Sequence, residues 1–124
     1  MSQEPTPRAE VVWRGDSREV VRGFPRDIQR ELGKDLQRVQ LSVSPKNAKA
    51  MRSIGRKVGE LRQKGKTGYY RTIYFGILEG KVYVLHAFIK KSAKTPRTDL
   101  DIAQKRLKQL LSELKLEKKR GMSL

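Results

Sequence analysis

Between residues 69 and 90 the sequence gathers side chains that suit phosphate chemistry. Tyr69 to Leu78 and Lys81 to Lys90 are two β-rich runs joined by Glu79-Gly80, a pair suited to a tight hairpin turn. A two-residue turn sets Leu78 opposite Lys81. It then sets Ile77 opposite Val82, Phe75 opposite Val84, Ile73 opposite His86, Arg71 opposite Phe88 and Tyr69 opposite Lys90. Side chains alternate across a strand, so all these pairs share one face. That face is apolar near the turn and carries Tyr69, Arg71, His86, Phe88 and Lys90 toward the open end. A slip of one residue would scatter the cluster.

These types match the needs of metal-free RNA cleavage. The 2′-hydroxyl must lose a proton, the phosphorane needs its added charge stabilised, and the 5′ oxygen needs a proton. Arg71 can hold a phosphate in a bidentate fork, Lys90 can neutralise it, and the His86 imidazole is of a type that transfers protons. Tyr69 or Phe88 can stack on a splayed base. The other cations of this stretch, Lys57, Lys64, Lys66 and Lys94, are candidate RNA contacts. One His and scattered carboxylates make no metal-ligand cluster, and a chain without Cys has no thiolate ligand or nucleophile. No metal or other cofactor is expected.

Each candidate also has a structural role open to it. A lone His on a half-apolar strand is commonly a packed, hydrogen-bonded side chain. Arg71 can be held by a salt bridge, with Glu60 as partner, because burying it unpaired is costly. Lys64 and Lys66 can simply solubilise a loop. Tyr70, Tyr74 and Tyr83 fall on the opposite face and read as core or interface.

The elements that must position this hairpin come from periodicity. Val11, Val12 and Trp13 read as a short strand, and Asp16 followed by Glu19 resembles a capping box opening a helix through Val20, Val21 and Phe24. Pro25 suits the first turn of a second helix, where Ile28, Leu32, Leu36, Val39 and Val43 recur at spacings of 4, 4, 3 and 4 before Ser44-Pro45. Residues 46–55 carry no clear pattern: Ala48, Met51 and Ile54 alternate with Lys49, Arg52 and Gly55 as in a loop or partial turn. Val58 to Arg62 is a candidate strand, linked by a Gly-rich connection to the hairpin. After the break at Thr95-Pro96, Thr98 with Asp101 reads as a cap. Leu100, Ala103, Leu107, Leu110, Leu111 and Leu114 then form the stripe of a last helix. The order predicts an α+β domain over residues 10–116, with a flexible start at 1–9 and a frayed basic tail at 117–124.

Charge narrows the partner. The chain has 124 residues, 29 Lys+Arg against 13 Asp+Glu, and a net charge of +16. Residues 56–97 hold 11 of the basic groups and only Glu60 and Glu79 against them, net +9. Residues 1–55 and 98–124 are nearly ordinary at +4 and +3. A polyanion should therefore meet the sheet and not the helices. No apolar run approaches the roughly 20 residues of a membrane span. Met1 to Arg8, with Pro5 and Pro7, does not read as a secretory signal. A cytoplasmic protein without a membrane partner is expected.

Gly68-Tyr-Tyr-Arg-Thr-Ile-Tyr74, the strand Lys81-Val-Tyr-Val-Leu-His-Ala-Phe-Ile-Lys-Lys91, the Thr95-Pro96 break, and Ala103 with Arg106 together resemble the RelE/HigB toxin superfamily. The likeness spans roughly residues 10–115 and lies nearest the phage-derived HigB-like branch. It implies a RelE-like fold, with an N-terminal strand and two helices packed on a small twisted antiparallel sheet and a C-terminal helix. It also implies the toxin half of a type II toxin–antitoxin pair, an endoribonuclease cutting mRNA on the ribosome without metal. The implied protein partner is a helix-turn-helix antitoxin, with DNA engaged only through the antitoxin complex. The motif arginine falls on Arg71, the basic pair on Lys90 and Lys91, and the preceding strand's basic residue on Arg62. RelE-type members often carry a tyrosine in the C-terminal segment; here no aromatic follows Phe88. A non-enzymatic RNA-binding module and a gyrase-directed ParE-like toxin are the competing expectations.

Overall fold

The computed structural model describes residues 8–91, 94 and 96–122. The chain runs β1 (Glu10–Trp13), α1 (Ser17–Arg22), α2 (Arg26–Gln40), β2 (Ala48–Ala50), β3 (Val58–Lys64), β4 (Tyr69–Leu78), β5 (Lys81–Lys90) and α3 (Arg97–Met122). The strands form one sheet in the order β1-β5-β4-β3-β2. β2 to β5 are antiparallel neighbours, whereas β1 lies parallel to β5, so the sheet is mixed. The architecture is α+β and consistent with a RelE-like fold.

Two apolar clusters follow from strand alternation. Leu61, Tyr70, Val82, Val84 and Ala87 pack with α1 and α2 on one face. Val58, Ile73, Phe75, Tyr83, Leu85 and Phe88 pack with Ala103, Leu107 and Leu110 of α3 on the other. Ile28, Leu32, Leu36 and Val39 are buried as their spacing predicts. The expected fifth member of that stripe, Val43, is exposed, because α2 ends at Gln40 and Ser42 turns the chain with φ 58°. Asp35 explains where the chain goes next. This buried helix residue accepts hydrogen bonds from the backbone N–H of Lys46 (3.0 Å) and Asn47 (3.3 Å) and from Arg38 (2.6 Å). That latch delivers the chain into β2, where the sequence pattern suggested a loop.

Other boundaries moved for identifiable reasons. Asp16 precedes α1 as expected but makes no capping bond; its carboxylate accepts from Arg106 at 2.9 Å instead. Thr98 lies inside α3, which already begins at Arg97. Residues 1–7 of the expected flexible start and Thr95 of the break lie outside the described residues. Ala9 is buried and its backbone bonds to Gln40 in both directions.

The hairpin register is partly as predicted. Leu78 pairs Lys81, Ile73 pairs His86, Arg71 pairs Phe88 and Tyr69 pairs Lys90. Both turn residues, Glu79 and Gly80, have positive φ, as a two-residue hairpin requires. Between these ends, however, Phe75 pairs Tyr83 and Gly76 pairs Val82. Leu85 in β5 and Ile77 in β4 are extra residues that shift the ladder and then restore it. Phe75 therefore does not face Val84, nor Ile77 Val82. Tyr83 moves to the α3 face, away from Tyr70 and Tyr74.

Candidate nucleic-acid interface

Even-numbered residues of β3 and the odd-numbered residues of β4 from Tyr69 to Phe75 lie on the α3 face, together with Phe88 and Lys90 of β5. α3 covers the turn end of this face. Toward the open end lie Arg62 beside Arg71, and Lys64 beside Tyr69, which faces Lys90. The structure thus brings Arg62, Lys64, Tyr69, Arg71, Phe88 and Lys90 into one neighbourhood.

Glu60 is the group around which they are organised. It is fully buried in β3, and its Oε1 accepts from Arg62 Nε at 2.9 Å and lies 3.5 Å from Arg71 Nε. The Arg71–Glu60 pairing considered from sequence is therefore present. It only partly satisfies Arg71. The Arg71 side chain is 9 % exposed, and its single hydrogen bond among the described residues is from Nη1 to the Tyr70 carbonyl, at 3.2 Å. Among the described residues Nε has no hydrogen-bond partner. The guanidinium carbon sits 5.5 Å from the centre of the Tyr69 ring, and Lys64 Nζ lies 5.9 Å from the same ring. A buried fork with spare donors beside further cations is an arrangement that an oxyanion completes.

The electrostatics agree. Burial lowers the pKa of Arg71, opposed by the charge of Glu60. Lys90 is also lowered, first by burial and then by Arg71, with Arg62 and Lys49 adding to the effect and Glu60 opposing it. One carboxylate faces several cations here. A groove of about 620 Å³ reaches Arg62, Lys64, Tyr69 and Arg71 from the sheet edge, with Lys46 on its rim and Asp27 and Glu31 of α2 across it.

His86 is placed differently. Its Nε2 lies 2.7 Å from Asp99 Oδ1, and its Nδ1 lies 3.4 Å from Arg106 Nη1. A guanidinium cannot accept, so Nδ1 accepts from Arg106 and Nε2 donates to Asp99. Arg106 also donates to the Leu85 carbonyl at 3.0 Å and to Asp16. The ring stacks on Phe88 at 5.4 Å. His86 is thus engaged on both nitrogens by α3, two pairs along the ladder from Arg71 and Phe88. Its partners Asp99 and Arg106, and Asp16 as the further partner of Arg106, were not identified from sequence, since these contacts join separate elements.

The remaining candidates surround the cluster or lie apart from it. Lys91 is exposed at the end of β5 and, with Lys64 and Lys66, lines a shallow pocket of about 310 Å³ in the β3–β4 connection. Lys94 is exposed. Lys57 lies at the far end of β3, with φ 62°, and lines a separate groove. Among the described residues, no group of three or more His, Cys, Asp or Glu is placed to hold a metal ion. No helix among them is long and apolar enough to cross a membrane.

No curated protein and no solved structure matches the chain. A family model described as "Phage derived protein Gp49-like (DUF891)" matches residues 19–108, from α1 to the middle of α3 and including every residue of the cluster. The finer HigB-like resemblance is thereby met at the level of the wider group. The chain belongs to the Gp49-like phage-derived family, a family of the RelE/HigB-like toxin type.

Proposed function

We propose that this protein is a toxin that cleaves mRNA by attack of the 2′-hydroxyl on the adjacent phosphate, acting on the translating ribosome and without a metal ion. The observation that carries the reading is Arg71: a buried guanidinium with unused donors, flanked by Arg62 and Lys90, opening on a groove at the sheet edge. In the proposed reaction the 2′-hydroxyl gives up its proton to water, the O2′–P bond forms and the P–O5′ bond breaks. The products are a 2′,3′-cyclic phosphate and a 5′-hydroxyl. Arg71 and Arg62 take the charge that builds on the phosphorane oxygens. Lys90, whose lowered pKa makes it a readier proton donor than an ordinary lysine, hands a proton to the departing 5′ oxygen. Tyr69 offers a ring face to a base, while Lys64, Lys66, Lys91 and Lys94 hold the flanking phosphates. His86 serves by fixing β5 against α3. In the cell the activity is held in check by a helix-turn-helix antitoxin, through which alone the toxin meets DNA; the setting is the cytoplasm.

The test is cleavage of a defined mRNA on translating ribosomes, with the ends of the fragments identified. Wild-type protein should leave 2′,3′-cyclic phosphate ends, and a 2′-deoxy substitution at the cut site should abolish cutting. Arg71→Ala should slow cleavage at least about tenfold, a loss of roughly 1.4 kcal/mol of transition-state stabilisation. Fragments bearing 5′-phosphates, or an Arg71→Ala variant that cuts at the wild-type rate, would refute this assignment. A second reading, RNA binding without cleavage, is favoured by the engagement of both His86 nitrogens. It predicts salt-sensitive RNA binding and intact mRNA in the same assay.

A further inference from the structure

Residues 46–57 contain five cations, Lys46, Lys49, Arg52, Arg56 and Lys57, and no carboxylate. All five side chains are exposed. Among the described residues none of them makes an ion pair. This density of like charge is held in place by the fold. The Asp35 latch fixes the backbone at Lys46 and Asn47, β2 pairs with β3, and Met51 donates to the Val58 carbonyl at 2.9 Å. Like charges held this close repel one another, and a polyanion relieves the repulsion.

The cluster has a shape as well as a sign. A second groove, of about 620 Å³, runs along β2 and is lined by Lys49, Arg52, Arg56 and Lys57 with Gly59 and Tyr74. The groove at Arg71 and this second groove share Ala48 of β2, the sheet's edge strand. Lys49 is opposite Glu60 in the ladder, and its charge reaches buried Lys90. The two grooves are thus one electrostatic surface folded around a strand edge. At about 3.3 Å per residue, β3 alone separates Arg62 from Val58 by roughly 13 Å, room for several phosphates of an extended strand.

We infer that the β2 edge is a second RNA-binding track, which carries the sugar–phosphate backbone of a single strand away from the Arg71 site, through Lys49 to Arg52 and Arg56. The inference rests on the RNA reading above and extends it from a site to a path. The aromatic of the groove beside β2, Tyr74, packs against the apolar core, whereas Tyr69 presents its ring to Arg71 and Lys64, so the track contributes length-dependent, sequence-tolerant affinity and not catalysis.

Binding of 2′-O-methyl RNA, which cannot be cleaved by 2′ attack, tests this by fluorescence anisotropy with a 4-mer and a 12-mer. The 12-mer should bind more tightly than the 4-mer. Arg52→Ala/Arg56→Ala should weaken the 12-mer on the order of tenfold, and lower its log–log salt slope by about 1.4, the release expected from two phosphate contacts. The 4-mer should be unaffected. Lys115→Ala/Lys118→Ala, which removes the same charge from α3, should leave both oligonucleotides unchanged. Unchanged melting of the Arg52/Arg56 variant checks that its fold is intact. Equal effects of the two double variants, or equal losses for both lengths, would overturn the track while leaving the RNA reading in place. Failure of wild-type protein to bind either length would overturn both. Equal binding of duplex DNA with the same loss would overturn the assignment to a single strand.

Discussion

Glu60 and Lys90 show how much of this site depends on one carboxylate. With Glu60 removed, Arg71 and Lys90 would remain buried among like charges. Breaking a buried ion pair from one side costs about 3 kcal/mol or more. Glu60→Ala should therefore lose about that much stability in urea unfolding. In Glu60→Gln, which keeps the volume, inorganic phosphate should raise the melting temperature more than it does in wild type, because the anion replaces the missing charge. Equal phosphate effects would mean that Glu60 does not neutralise the site. Lys90 gives a pH signature. Its pKa is lowered in the folded protein, so between that value and the ordinary lysine range the unfolded chain binds more protons. Stability contributed at this position therefore rises with pH through that window, and the penalty is fully present below it. Lys90→Met should be more stable than wild type at neutral pH, with the difference shrinking as pH climbs. A difference independent of pH would show that Lys90 is not the group responsible. Sequence pointed to Arg71, to Lys90 and to Glu60 as a partner for Arg71; it did not reveal that Arg71 keeps unused donors, because that depends on angles as well as neighbours.

α3 is held over the sheet by polar contacts at one end and apolar packing along its length. Asp99 and Arg106 grip His86, and Arg106 spans from the Leu85 carbonyl to Asp16 before α1. Gly15, with φ 56°, leaves the space that the Arg106 guanidinium occupies; a side chain there would collide with it. Arg106→Ala removes a charged donor from a partly buried carbonyl and should cost about 2 kcal/mol. Hydrogen exchange should quicken in β5 and the first turns of α3, while α2 keeps its protection; uniform loss of protection would show that Arg106 holds no local junction. The helices were legible because their stripes repeat over many turns. β2 was not, since three exposed residues, Ala48-Lys49-Ala50, have no buried face to impose alternation. The paired shifts at Leu85 and Ile77 were equally hidden. Apolar residues occur on both faces of β4 and β5, so a shifted register still buries apolar side chains.

Across the whole molecule, charge is distributed by sign more sharply than the sequence intervals suggested. Dividing the chain at residue 55 separated Lys46, Lys49 and Arg52 from Arg56 and Lys57, which fold into one strip beside the Arg71 groove. Glu31–Lys34 and Asp35–Arg38 pair opposite charges within α2, and Glu113 of α3 is paired with Arg14. The excess is thus left on the sheet edge, where the proposed RNA path runs. The sequence by itself determined the fold class, the two long helices, the outer pairs of the hairpin and the basic character of its open end. All of these follow from local periodicity, turn chemistry and composition, which act between near neighbours. Only the tertiary structure decided that Glu60 lies at the centre of the cations, that His86 is turned to α3, and that β2 joins two grooves into one surface. Those outcomes depend on contacts between residues far apart in the chain, whose geometry is set by packing and by where a strand gains one residue over its partner.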